Sequence, residues 1–269
     1  MRINYGLTIT TILFIALIIA SPGQSSAAEY TQTPAISIII DDIGYRIHDD
    51  LRAIAIPGPL AYAIMPLSPY AKKMSRLATR QGKQVLLHLP MESVSQEKNR
   101  LLGPGALMLD MNKAQFMHTL NIDLKSLPLA IGVNNHMGSL LTSSHGRMEW
   151  LMETLKKDKK FYIDSMTSRL SVANETAGEN RVPHMKRDVF LDNHLDRAYI
   201  MSQFQELIRV AKTRGRAVAI GHPHPETIRV LTGALMDLDK YGVRLVSLTD
   251  LMKIKKTIAV RQHIAAISD

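Results

Sequence analysis

Between residues 35 and 246, short runs of aliphatic and β-branched residues alternate with longer stretches whose apolar positions recur every three or four residues. Residues 35–40 form such a run and stop abruptly at Asp41 and Asp42, the pattern of a strand buried on both faces. An apolar segment over 60–65 precedes a helical spacing over 70–81. There Ala71, Met74, Leu77 and Ala78 share one side, and Gly82 is placed as a C-cap. Further strands are predicted over 84–87, 129–133, 161–163, 189–191, 217–220 and 243–246. Helices are predicted over 113–124, 147–157, 196–214 and 226–240. This alternation specifies a parallel α/β fold, and about seven or eight strands suit a barrel better than an open sheet.

The chain before residue 35 reads differently. Arg2 is followed by an apolar stretch over 7–20, then Pro22, Gly23 and small residues over 25–28. That order is a secretory signal peptide cut before Glu29, and the stretch is short of the roughly 20 residues that cross a bilayer. The expectation is an exported, periplasmic protein with no membrane span after cleavage, the alternative being an uncleaved anchor. Residues 29–34 then form a short tether, 35–252 one domain, and 253–269 a basic tail carrying Lys253, Lys255, Lys256 and Arg261. Without the first 28 residues the chain keeps 32 basic against 24 acidic residues, a net charge of +8. Such a surface attracts acidic glycans or anionic lipid, and an exported chain rarely meets nucleic acid. The absence of cysteine excludes disulfides, thiolate zinc sites and a cysteine nucleophile. Gly103-Pro104-Gly105 lacks the strand and lysine of a phosphate loop and reads as a turn.

Five predicted strands end in groups able to bind metal or move protons: Asp41-Asp42, His88 to Glu92, Asn134-Asn135-His136, Asp164-Ser165 and His222 to His224. In a parallel barrel those ends share one face, so distant residues converge there, which argues for an enzyme. Adjacent Asp41 and Asp42 are expected to point opposite ways, one ligating a cation and the other acting as base. The alternative is an N-cap for a following helix. Pro90 is expected to end the strand after His88, leaving Glu92 within reach of the same ion or substrate. Gly138 permits a turn, and Ser139 is placed to cap the next helix. His222 and His224 are spaced by prolines, Pro225 suits a helical first turn, and a histidine there can donate a proton. The other histidines, His118 and His184 among them, read as surface residues, and the fifteen scattered methionines as core filling.

Together these motifs, with Ile40-Asp41-Asp42-Ile43-Gly44 and Gly221-His222-Pro223-His224 at either end, resemble the divergent polysaccharide deacetylase family of bacterial envelopes from about residue 35 to 250. The resemblance implies a single distorted (β/α) barrel that removes acetyl groups from a glycan with a divalent metal, usually zinc. It implies Asp41 as catalytic base, Asp42 and His88 as metal ligands and His222 as proton donor. The wider superfamily has two histidines four residues apart in its second motif, and Glu92 stands where the second would be. Either Glu92 ligates through oxygen or His136 completes an Asp-His-His set; the second matches a three-ligand catalytic zinc site and is preferred. Glu92, Asn135, Asp164 and His224 are then candidates for substrate contact, with Asn135 or a backbone N–H near Gly138 as oxyanion donor. The superfamily's arginine-and-proline motif after the fourth strand is absent. With 5% aromatic residues and only Trp150 among tryptophans, a short or soluble glycan is the expected partner. The rival reading is a glycan-binding or envelope partner protein that keeps the fold without turnover.

Overall fold

The computed structural model describes residues 33–268, so the predicted signal peptide and its cleavage point lie outside the described residues. In chain order the elements are β1 (Ala35–Ile43), α1 (Ile47–Ile54), β2 (Ala61–Ile64), α2 (Ala71–Arg80), β3 (Gln84–Met91), α3 (Gln96–Asn99), α4 (Lys113–Ser126), β4 (Gly132–Met137), α5 (His145–Lys157), β5 (Phe161–Asp164), α6 (Ala173–Glu179), β6 (His184–Lys186), β7 (Val189–Phe190), α7 (Arg197–Arg214), β8 (Arg216–Gly221), α8 (Pro225–Met236), β9 (Arg244–Leu245) and α9 (Leu248–Ser268). All strand pairs are parallel, in the spatial order β6-β5-β4-β3-β2-β1-β8-β7, with β9 beside the start of β1. The strand without a forecast is β6, whose three residues are too few to leave a pattern.

The two ends of this ladder are joined by the chain itself. Arg187 N–H donates to Asp164 O on the β5 side at 2.9 Å, and Asp188 N–H donates to Val218 O on β8 at 2.9 Å. One extended segment thus changes partners between β6 and β7 and carries the sheet round into a distorted barrel.

Side chains alternate across each strand, and the two sets pack differently. Ala35, Ile39, Ala61, Ala63, Leu86, Phe161, Ile163, Val218 and Ile220 fill the interior, closed at one end by Leu248 and Leu251 of α9. The alternate set, including Ile36, Ile38, Ile40, Tyr62, Leu87 and Tyr162, packs outward with Phe116, Leu151, Phe204 and Leu207 of the helices. Gly132 belongs to the interior set, and a Cβ there would stand 2.4 Å from the Phe161 ring that fills its place.

Three strands run further than the hydrophobic pattern predicts. β1 continues through Asp41 and Asp42, β3 through Pro90 to Met91, and β4 starts at Gly132 and carries the whole Asn134 to Met137 motif. Pro90 does not end β3, because a proline lacks only the donor. It stays in register with His136, and its carbonyl accepts from Leu107 N–H at 2.9 Å. At the other end of the chain, α8 stops at Met236 and a 3-10 turn covers Leu238–Tyr241, where a helix to residue 240 is predicted. α9 runs unbroken through residue 252, with Met252 and Ile254 packed against the barrel. No helix of the described residues is long and apolar enough to cross a membrane.

Asp123 on α4 is buried with neither carboxylate oxygen hydrogen-bonded, and burial pushes its pKa up to about 8. The folded state therefore holds a proton that the unfolded chain releases near pH 4, and stability is lost as pH rises from about 4 to about 8. Replacing Asp123 with Asn is expected to flatten that slope. Urea unfolding at several pH values checks it, with the gain over wild type largest above about pH 8.

Candidate active site

The interior set of side chains turns polar at the C-terminal ends of the strands. Asp41 continues the file of Ala35, Ser37 and Ile39; His88 follows Leu86; Asn134 and His136 follow Gly132; His222 follows Ile220. Two-residue alternation alone places these groups together. Asp42 has the opposite parity, yet it too enters the site. The pairing of β1 with β2 shifts register between Ile40 and Ile43, and Asp42 takes φ 58°. Such a bulge re-aims the side chain. Gly44 completes the bend at φ 126°, where a Cβ would lie 2.0 Å from Ser68 Oγ, and its N–H donates to Asp50 at 2.9 Å. The N-cap reading of the aspartates fails, since α1 begins after Arg46 without a side-chain cap.

Both carboxylates consequently face His88, contrary to the expected opposite directions. His88 Nε2 lies 3.6 Å from Asp41 and 3.2 Å from Asp42 Oδ1. His136 Nδ1 lies 3.0 Å from the same Asp42 oxygen and 3.2 Å from His88 Nε2. Asp42 Oδ1 is buried and accepts no hydrogen bond. One carboxylate oxygen and two imidazole nitrogens thus form a triangle with edges of 3.0–3.2 Å. Ligands held about 2.0–2.1 Å from a tetrahedral ion stand roughly 3.3 Å apart, so the three residues fit a divalent metal. Burial opposes ionisation of Asp42, but the two imidazoles outweigh it and hold the carboxyl well below its usual range.

Asn134 ties this cluster to Asp41. Its Nδ2 donates to Asp41 Oδ1 at 2.9 Å, and its Oδ1 lies 2.9 Å from His88 Nδ1. A carboxylate can only accept, which sets the orientation of the amide. His88 must then carry a proton on Nδ1, which directs Nε2 toward Asp42 and His136. Burial pushes Asp41 above the usual carboxylate value, against the pull of His88 and His222.

On the far side of the cluster His222 Nε2 lies 3.8 Å from Asp42 Oδ2. Its Nδ1 meets Asp192 Oδ1 at 3.0 Å, while Asp192 Oδ2 accepts from His222 N–H at 2.6 Å and Thr227 Oγ1 at 2.8 Å. Burial alone would lower the pKa of His222, but Asp192 and the two site aspartates raise it to about 9. Phe190 packs on the ring at 5.3 Å between centroids, and Arg187 covers Phe190 in turn at 4.9 Å. A cleft of about 280 Å³ opens above these groups, lined by Asp42, Tyr45, Arg46, His136, His222 and His224.

Of the residues predicted from sequence, Asp41, Asp42, His88, His136 and His222 come together, and His224 lines the cleft beside them. Three others do structural work elsewhere. The Glu92 carboxylate accepts from Leu109 N–H at 2.6 Å and anchors that loop outside the Asp42, His88 and His136 group. Asn135 has the wrong parity: its amide donates to Met137 O and accepts from Tyr162 OH and Ser165 N–H, outside the Asp42, His88 and His136 group. Both oxygens of Asp164 are taken by Met166 N–H and Ser171 Oγ. Ser139 caps no helix; its hydroxyl meets Ser93 Oγ and accepts from Val94 N–H. His184, expected on the surface, is half-buried in β6 with Nδ1 at 2.8 Å from Val182 O. The sequence names Asn134 within its strand-end motif without a role and does not single out Asp192. Asn134 shares the parity of His136, and Asp192 directly follows the predicted strand 189–191, so the rule that found the other sites also reaches it.

A parallel barrel thus carries at its mouth the triangle of Asp42, His88 and His136 and, beside it, the Asp192–His222 pair. The chain belongs to the divergent polysaccharide deacetylase family, whose model matches residues 38–252. An uncharacterised protein of Haemophilus influenzae is 37% identical over 234 residues, 87% of this chain and 82% of that protein. Among solved structures, the uncharacterised protein ATU2773 from Agrobacterium tumefaciens C58 superposes with a TM-score of 0.78 at 20% identity, covering 82% of this chain and 89% of that one. A mutant of peptidoglycan deacetylase PdaC from Bacillus subtilis gives 0.52 at 11% identity, covering 88% and 98%. Both share the fold.

The Asp192 contact makes a defined prediction for metal-free protein. The His222 ring is expected to titrate near pH 9 by NMR and to fall back toward an unperturbed histidine value of about 6.5 in Asp192→Asn. Because the folded value is raised, the associated stability is complete below about pH 6.5 and is lost as pH rises to about 9; the variant, which keeps only Asp41 and Asp42 beside the ring, should show a smaller loss.

Proposed function

We propose that the chain is an exported, metal-dependent carbohydrate deacetylase that hydrolyses acetyl groups on an envelope glycan. The observation that carries this reading is the triangle of Asp42, His88 and His136, with Asp41 on one side and His222 on the other. Family membership and the peptidoglycan deacetylase activity of a protein sharing the fold support it. The apolar stretch over 7–20 followed by small residues supports export.

Asp42 Oδ1, His88 Nε2 and His136 Nδ1 would hold the ion, and zinc suits a set of two nitrogens and one oxygen with room for water. When bound, the ion supplies polarisation of the acetyl carbonyl and a more acidic water. Asp41 takes the proton of the attacking water, its carboxylate fixed by Asn134. His222, kept protonated by Asp192, delivers a proton from Nε2 to the departing sugar nitrogen or oxygen. Acetate leaves as the carbonyl–heteroatom bond breaks, and the amine or hydroxyl stays on the glycan. The cleft of about 280 Å³ beside these groups has room for an acetyl group.

Elemental analysis of residues 29–269, purified without added metal, tests the reading. About one divalent ion per chain is expected, lost in His88→Ala and in His136→Ala. Acetate release from acetylated peptidoglycan fragments should fall by about 10²- to 10⁴-fold in Asp41→Asn and His222→Ala, with the metal retained. A wild-type chain unable to take up any divalent metal overturns the hydrolytic mechanism and leaves glycan binding without turnover.

A further inference from the structure

Large apolar side chains stand in solvent around the mouth of the barrel, contributed by most of the loops that leave strand C-termini. Tyr45 follows β1, Leu67 follows β2, Val94 and Leu101 follow β3, Leu170 follows β5 and Leu195 follows β7. All are exposed, Leu101 and Leu170 to 71% and 76%. Parallel topology puts these loops on one face, around the cleft that Tyr45 and Leu101 line. The opposite end exposes Leu129 and Ile131 before β4, Met236 at the end of α8, and Val260, Ile264 and Ile267 along the last turns of α9, so the apolar rim does not by itself single out the mouth and the charges beside it must.

The chemistry of the rim narrows what it meets. The C–H face of a sugar ring is matched by a flat aromatic, and only Tyr45 supplies one. Four leucines and a valine have instead the shape and polarity of acyl chains. Cations are interleaved with them: Arg46, Lys98, Arg100, Arg169 and Arg197 are exposed on the same loops or on the short α3 and the first residue of α7. The exposed acids there are Glu97, Asp110 and Asp196, three against five cations, and Asp196 is occupied as the cap of α7. Arg46 also pairs with Asp49 at 3.5 Å. Aliphatic groups flanked by arginines are complementary to the boundary between anionic headgroups and acyl chains.

We propose that the mouth of the barrel docks on the anionic headgroup layer of a bilayer. Val94, Leu101 and Leu170 reach the acyl boundary, and Arg100, Arg169 and Arg197 meet the lipid phosphates. Docking requires no turnover, so it stands apart from the deacetylase reading; where both hold, the substrate is a glycan carried at the membrane surface.

Co-sedimentation of residues 29–269 with vesicles tests the proposal, comparing phosphatidylcholine alone with phosphatidylcholine containing phosphatidylglycerol. Binding is expected only to the anionic vesicles. It should weaken by about tenfold or more in the triple variant Val94→Ser, Leu101→Ser, Leu170→Ser, whose net charge is unchanged, and comparably in Arg100→Glu with Arg169→Glu. Circular dichroism and metal content confirm folding, and acetate release from a soluble substrate reports separately on the catalytic reading. Absence of binding, or binding that the triple serine variant retains in full, overturns the proposal; the latter would reflect the chain's basic charge alone. A dimer in solution that the serine variant dissociates also overturns it, since a second copy would then cover the face.

Discussion

Two imidazole nitrogens lie 3.0 and 3.2 Å from one carboxylate oxygen of Asp42, and that oxygen accepts no hydrogen bond. A buried charge left in this condition is costly unless another charge or an ion compensates it. The arrangement exists because β1 slips register at Asp42 and bends its backbone to φ 58°. Without the slip, Asp42 would point into the helical layer and the interior would present Asp41 alone. Backbone strain at a single residue is thus what gathers three ligand atoms into one triangle, in keeping with the concentration of strain at functional sites.

The remaining groups are held by contacts that serve two residues at once. The Asn134 amide fixes the Nδ1 proton and the ring orientation of His88 and anchors Asp41 through its other end. Asp192 orients the His222 ring while binding the backbone of the same residue and the hydroxyl of Thr227 on α8. Gly221 makes this approach possible, since a Cβ there would stand 3.3 Å from Asp192. Asp41 and His222 are therefore positioned by buried side chains of β4 and of the segment after β7, both rigid parts of the barrel.

The polar layer rests on a dry interior. Ile39, Leu86, Ile163 and Ile220 lie beneath Asp41, His88, Ser165 and His222 in their own strands, and α9 seals the end away from the site. Water reaches the charged groups only through the mouth, so the electrostatic coupling among them is stronger than it would be on an open surface. The same topology collects every loop of the mouth onto one face, where its aliphatic and basic residues surround the cleft.

The amino-acid sequence by itself determined the alternation of strand and helix, the barrel class, the family and five of the groups that meet at the site. These follow from hydrophobic period and from polar residues placed where buried runs end, both local properties of the chain. It could not show how far β1, β3 and β4 extend, because polar residues inside a barrel mouth look like loop when strand neighbours are unknown. The assignments of Asn135, Asp164 and Glu92 to substrate contact turned on which way each side chain faces: parity, counted from a true strand register, sends Asn135 and Asp164 elsewhere, while Glu92 shares the parity of His88 but lies past the end of β3 and is drawn off by Leu109 N–H. Only the tertiary structure decided that Asp42 breaks that parity, since a bulge is set by pairing with β2 and not by β1 itself. Asp192 and Asn134 gained their roles in the same way: a hydrogen bond between residues 30 or 46 positions apart is a property of the fold, and no local pattern encodes it.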